Sequence, residues 1–174
     1  RRFFIDMEGE AYDSFLKMFW KNNFILNLIR KDEEVLEDST LTSMGLVSAV
    51  LLSELLGRAK LKRMEKGVKE LLVHRKGKLF GVLVKNSKKR PYLNDEQYQE
   101  ATIWPRDVPY LVKYLILIGK KELAQELLEN HLDHQMNEGA IFYNHELFSL
   151  PEGKNPCSKG TEEPLPVKNP AQYW

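Results

Sequence analysis

Trp104, Arg106 and Asp107 stand close together in the stretch ATIWPRD, Ala101 to Asp107, and offer three different ways to hold a polyhydroxylated ring. The indole supplies a broad apolar face, the guanidinium a rigid fork of donors, and the carboxylate a bidentate acceptor for paired hydroxyls. Cleaving a bond between sugars asks for more, namely two carboxyl groups on opposite sides of the glycosidic oxygen. Glu146 is the leading candidate for one of them. Its segment FYNHELFSLPEG has no helical period, and Phe142, Tyr143 and Phe148 could wall a pocket that raises its pKa by desolvation. Glu162 and Glu163 are rivals in a more polar setting after Gly160. A plainer reading of the same residues stays open: Trp104 in the core, Arg106 and Asp107 as a surface pair with Asp107 capping a helix, and Glu146 exposed on a loop.

Other chemistries find less support. His131 and His134 are three apart on an expected helix and His145 adjoins Glu146, but no cysteine or carboxylate cluster completes a metal site, so the two helical histidines are expected on the solvent-facing side of that helix. Cys157 has no Cys-His-Asn framework around it. No glycine-rich phosphate cradle and no dinucleotide fingerprint occur, so neither a metal nor a cofactor is expected.

Composition narrows the classes further. The chain has 174 residues, 43% hydrophobic and 29% charged, enough for a domain with a real core. Its 26 Lys and Arg against 25 Asp and Glu give a net charge of +1, without the basic footprint of a nucleic-acid binder. No run approaches the ~18 consecutive apolar residues of a membrane span. A single cysteine excludes an internal disulfide, and a reducing, cytoplasmic location is the simpler expectation.

The elements that would position these residues read as helices. Phe15, Leu16, Phe19, Trp20, Phe24, Leu28 and Ile29 recur near helical spacing and predict a helix from Tyr12 to Arg30 with a break at Asn22-Asn23. Ser39, Thr40 or Thr42 would cap a deeply buried helix through MGLVSAVLLSELLGRAK. Leu61, Met64, Val68, Leu71 and Leu72 predict an amphipathic helix ending near Gly77, and LFGVLV a short extended piece. Pro105 suits the first turn of a helix whose face is Val108, Leu111, Val112, Leu115, Ile116 and Ile118 and which Gly119 ends. A second helix with the stripe Leu123, Leu127, Leu128 and Leu132 follows at once, so the two should pack as an antiparallel hairpin. The tail from Ile141 holds most of the prolines and little periodicity, the mark of a long functional loop.

The segment GVLVKNSKKRPYLNDEQYQEATIWPRDVPYLVKYLILIG resembles part of the glycogen debranching enzyme C-terminal family, the amylo-α-1,6-glucosidases. There a Tyr-containing loop precedes a G-T-V-W-P-x-D motif and a hydrophobic helix; Tyr98 stands in that loop here. HELFSLPEGKNPCSKGTEEPLPVKNPAQYW is similar to the family's P-E-L segment, proline-bearing loop and Q-x-W. The likeness runs from about Gly81 to Trp174, and related glucoamylases also carry W-P-R-D. Here Ala101 replaces the family's Gly, His145 replaces its Pro, and Arg106 stands where many members have another residue.

The resemblance implies an all-α fold, the C-terminal portion of an (α/α)6 barrel, with residues 1–174 a single helical domain and 85–103 and 137–170 as active-site loops. It implies a glycoside hydrolase acting by inversion on α-glucosidic bonds of glycogen- or starch-like oligosaccharides. Trp104, Arg106 and Asp107 would bind the sugar with help from Tyr98, Glu146 would be the general base, and Gln172 and Trp174 would support the pocket. The general acid would lie upstream of the matching part, so the chain is expected to be incomplete by itself. The expected partners are an α-glucan oligosaccharide and either the remainder of the barrel or a second copy of the chain. The competing expectation is a carbohydrate-binding or regulatory helical module that never cleaves.

Overall fold

The computed structural model describes residues 2–31, 34–38, 40–86, 102–137, 148–149 and 165–166. Helix α1 (Arg2–Phe19) leads directly into β1 (Trp20–Lys21) and β2 (Phe24–Ile25), which pair antiparallel across Asn22-Asn23. Both asparagines adopt positive φ, 51° and 60°, the geometry of the two-residue turn whose twist matches a hairpin. The expected break in the helix is thus a reversal of the chain. A second hairpin, β3 (Asn27–Lys31) with β4 (Glu34–Asp38), follows.

Strand β5 (Leu41–Thr42) ends at the cap of α2 (Ser43–Leu51), where the Thr42 hydroxyl accepts the Gly45 N–H at 3.4 Å. The long helix expected through this region is interrupted at Leu52, and α3 (Ser53–Arg63) is kinked at Gly57. Nor is it buried all round, since Leu51 and Leu55 are exposed. Helix α4 (Glu65–Lys69) is short, and from Leu72 the chain is extended: β6 (Leu72–Arg75) and β7 (Lys78–Val82) form a hairpin over Lys76-Gly77. Both turn residues again have positive φ, 49° and 74°, which Gly77 adopts without strain. Gly77 therefore closes a β-turn, not the helix the apolar spacing predicts.

Strand β8 (Lys85–Asn86) pairs with β5, and β9 (Thr102–Ile103) pairs antiparallel with β10 (Phe148–Ser149), which pairs in turn with β11 (Leu165–Pro166). A 3-10 turn at Pro105–Asp107 leads into α5 (Val108–Ile118), and α6 (Lys121–Asn137) packs back against it. Gly119, at φ 90°, ends α5 as the sequence predicts.

The architecture is therefore mixed α/β with small antiparallel sheets, and the all-α, (α/α)6-barrel expectation is incorrect. The parts of the expected loops 85–103 and 137–170 that are described contain strands β8 to β11. The core gathers Phe24, Leu46, Leu61, Met64, Leu71, Leu79, Phe80, Leu83, Ile103 and Leu111 around Tyr114, all almost fully buried. The Tyr114 hydroxyl donates to the Leu61 carbonyl at 2.9 Å, tying α5 to α3. Burial, and then the nearby charge of Glu65, push its pKa well up, so it stays a donor.

Helix α6 buries a different face from the one its leucines suggest. Ala124, Leu127, Asn130, His131 and His134 are buried, while Leu128 and Leu132 are exposed. Asn130 donates to the Leu79 carbonyl at 3.1 Å, and the His134 ring lies edge-on to Phe80 and Phe148, with centroids at 5.8 and 5.1 Å. The expected surface histidines are core residues here, because their rings fill space beside aromatics.

Candidate functional site

Backbone pairing delivers Trp104 to its place. The Val84 N–H donates to the Thr102 carbonyl at 2.8 Å, and Leu83 bridges Ile103, so β9 lies along the end of the β7 segment. One residue later Trp104 packs on Val84 in a small buried pair separate from the main core. Its ring is 4% exposed, so it does not present an open face to solvent.

What covers that ring is Arg106, whose guanidinium carbon lies 4.0 Å from the ring centre. Such stacking suits the flat, weakly hydrated guanidinium. The Arg106 Nε is 3.5 Å from Oδ1 of Asp107. The guanidinium is thus fixed on one face by an indole and on its inner edge by a carboxylate, and its side chain remains 39% exposed.

Asp107 is 2% exposed and sits at the start of α5, but its carboxylate makes no capping bond to that helix. Its Oδ2 accepts the Ser43 hydroxyl at 2.6 Å instead. Burial raises the Asp107 pKa above the usual carboxylate value, and the Ser43 hydrogen bond and the Arg106 charge oppose that rise in part. Of the plainer reading, the core position of Trp104 holds; the capping role of Asp107 and the surface pairing do not.

No family model, curated protein or solved structure matches the chain. The site must be read from its own geometry.

The fold brings Trp104, Arg106 and Asp107 into one contact group. Tyr98, Glu146, Gln172 and Trp174 lie outside the described residues. Ser43 is the member that the sequence reading passes over. A signal for it exists: in Thr42-Ser43 one hydroxyl suffices to cap α2, which leaves the second for another partner.

A separate open cleft of about 450 Å³ lies where the α2–α3 elbow meets α5, with Ser53, Glu54, Tyr110 and Lys113 among its lining residues. It includes none of the Trp104 group. Among the described residues no group of three His, Cys, Asp or Glu side chains could hold a metal ion. No helix among them is long and apolar enough to cross a membrane.

Proposed function

We propose that this chain serves an α-glucoside hydrolase of the debranching or glucoamylase type, acting by inversion on glycogen- or starch-like oligosaccharides. The observation that carries this reading is the mounting of the half-exposed Arg106, stacked on Trp104 and with Nε 3.5 Å from Asp107 Oδ1. A fork fixed in that way suits two adjacent oxygens of a sugar ring. The order of motifs from Gly81 to Trp174 supports the same reading.

The burial of Trp104 and Asp107 sharpens the roles. Arg106 is the group that meets the sugar, and the other two hold it. Glu146 draws a proton from water on one face of the ring, and an acid contributed from upstream of the matching segment protonates the leaving oxygen. Inversion sets those two carboxyls ~6.5 to 9.5 Å apart, which leaves room for the water. Tyr98, Gln172 and Trp174 complete the pocket in this scheme.

Glucose release from a branched α-glucan and from linear maltooligosaccharides, compared between the full-length enzyme that carries this chain and its Glu146→Gln variant, tests it. The variant should fold normally and turn over slower by orders of magnitude, since water loses its base. Near-normal turnover in Glu146→Gln removes the base assignment. A full-length protein that binds the oligosaccharides and releases nothing is instead a carbohydrate-binding module.

A further inference from the structure

Ser43 is 64 residues from Asp107 in sequence and meets it through a 2.6 Å hydrogen bond inside the protein. Two features make this contact more than a filler. The α2 cap is already provided by Thr42, so the Ser43 hydroxyl has no capping task. The Ser43 N–H donates to the carbonyl of Val84 at 2.9 Å, and Val84 is the residue on which Trp104 packs. One residue at the head of α2 thus grips both supports of Arg106: the Val84 backbone beneath its indole platform and the carboxylate beside its Nε.

We infer that Ser43 is a positioning residue for Arg106, acting through Asp107 to keep the outer edge of the guanidinium free for ligand. This rests on the reading of Arg106 as the sugar-facing group. With the Ser43 hydroxyl anchoring Oδ2 at 2.6 Å, the buried carboxylate is oriented with Oδ1 toward the guanidinium, 3.5 Å from Nε. Without the Ser43 donor, Oδ2 is left buried without that bond, and the cheapest replacement is a second N–H from Arg106 itself. A side-on pairing of that kind draws an Nη group inward, and the fork then has one donor facing outward instead of two.

Two readouts separate this idea from the proposed activity. The first needs no substrate: hydrogen exchange of the Arg106 Nε–H followed by NMR, the resonance being assigned by its loss in Arg106→Lys. Ser43→Ala should change the exchange rate of that proton roughly tenfold, in keeping with a hydrogen bond to a charged group, while Ser43→Thr keeps the parent behaviour. Equal rates in the parent and Ser43→Ala overturn the proposal. The second is kinetic: Ser43→Ala should raise KM for a maltooligosaccharide roughly tenfold with kcat within about twofold, as loss of uniform binding requires. An unchanged KM in an active variant also overturns it. A full-length protein that releases no glucose defeats the proposed function and leaves the exchange experiment to decide on Ser43. If Ser43→Ala does not fold, Ser43→Cys, nearly the same shape with a weak donor, takes its place in both measurements.

Discussion

Arg106 lies flat against Trp104, with its guanidinium carbon 4.0 Å from the ring centre, and the pair stands where the chain enters α5. Lysine in that position keeps the charge and loses the plane. Arg106→Lys should therefore fold but lose about 0.5 to 1 kcal/mol with the stack, and on the proposed reading bind α-glucan roughly tenfold more weakly. Titration calorimetry with a maltooligosaccharide measures the second effect and urea denaturation the first. Equal affinity would show that the fork is not what meets the sugar.

Trp104→Ala should behave differently from a substitution in an open sugar platform. The ring is 4% exposed and packed on Val84, so its removal leaves a cavity that costs about 3 to 5 kcal/mol. The loss of binding then follows from the loss of the platform for Arg106. A urea midpoint that scarcely moves would contradict the burial of this ring.

How far the sequence discloses this structure depends on which residues are asked. Val108, Leu111, Leu115 and Ile118 are buried on one face of α5 and Gly119 ends it, because a helix that packs along one side writes its period into the chain. The hairpins at Asn22-Asn23 and Lys76-Gly77 were hidden for the opposite reason. Apolar residues three to five apart satisfy a helix template equally when two short strands are folded about a turn, and the left-handed turn residues between them carry no period at all. In α6 only Leu127 of the expected stripe is fully buried and Leu128 and Leu132 face outward, while the buried face is completed by Ala124, Asn130 and two histidines that find partners only in three dimensions. The same limit applies at the site. Trp104, Arg106 and Asp107 are legible because they are neighbours in sequence, whereas Ser43 reaches Asp107 only through the packing of α2 on α5.

Asp107 gives the fold a pH dependence of unusual sign for a carboxylate. Its folded-state pKa is raised by burial above the ordinary 3.8, so the folded chain holds the proton more tightly than the unfolded one. Stability from this group is then fully present below the ordinary value and is lost as pH rises through the raised one. Asp38 and Glu65 work the other way. Burial works to raise the Asp38 pKa but is outweighed by hydrogen bonds from Thr40 together with the charge of Lys85, and hydrogen bonds from Lys120 and Lys69 hold Glu65 down, so their contributions fade as pH falls. Denaturation of the parent and Asp107→Asn across the acid range isolates the first effect, since the other two groups are common to both. The parent should gain on the variant as pH drops through the raised value, and a constant difference between the two would mean that Asp107 titrates normally.

Phe24 shows how tightly the hairpin after α1 is set into the core. Its ring lies between α2 and α4 at two glycines: a Cβ added to Gly67 would stand 2.6 Å from Cδ2, and one added to Gly45 2.6 Å from Cε1. Two effects compete in Gly67→Ala. Alanine favours a helix over glycine by up to ~1 kcal/mol, and overpacking costs ~1 to 3 kcal/mol. Carbon atoms do not approach to 2.6 Å, and Phe24 is 1% exposed with little room to retreat, so the overpacking term wins and the variant should be less stable in urea. Phe24→Leu removes the ring atoms that clash. In that background Gly67→Ala should cost less or even stabilise, with a coupling between the two sites of about 1 kcal/mol or more. Additive costs would place the ring elsewhere, because two residues that do not touch have no means of relieving each other's strain.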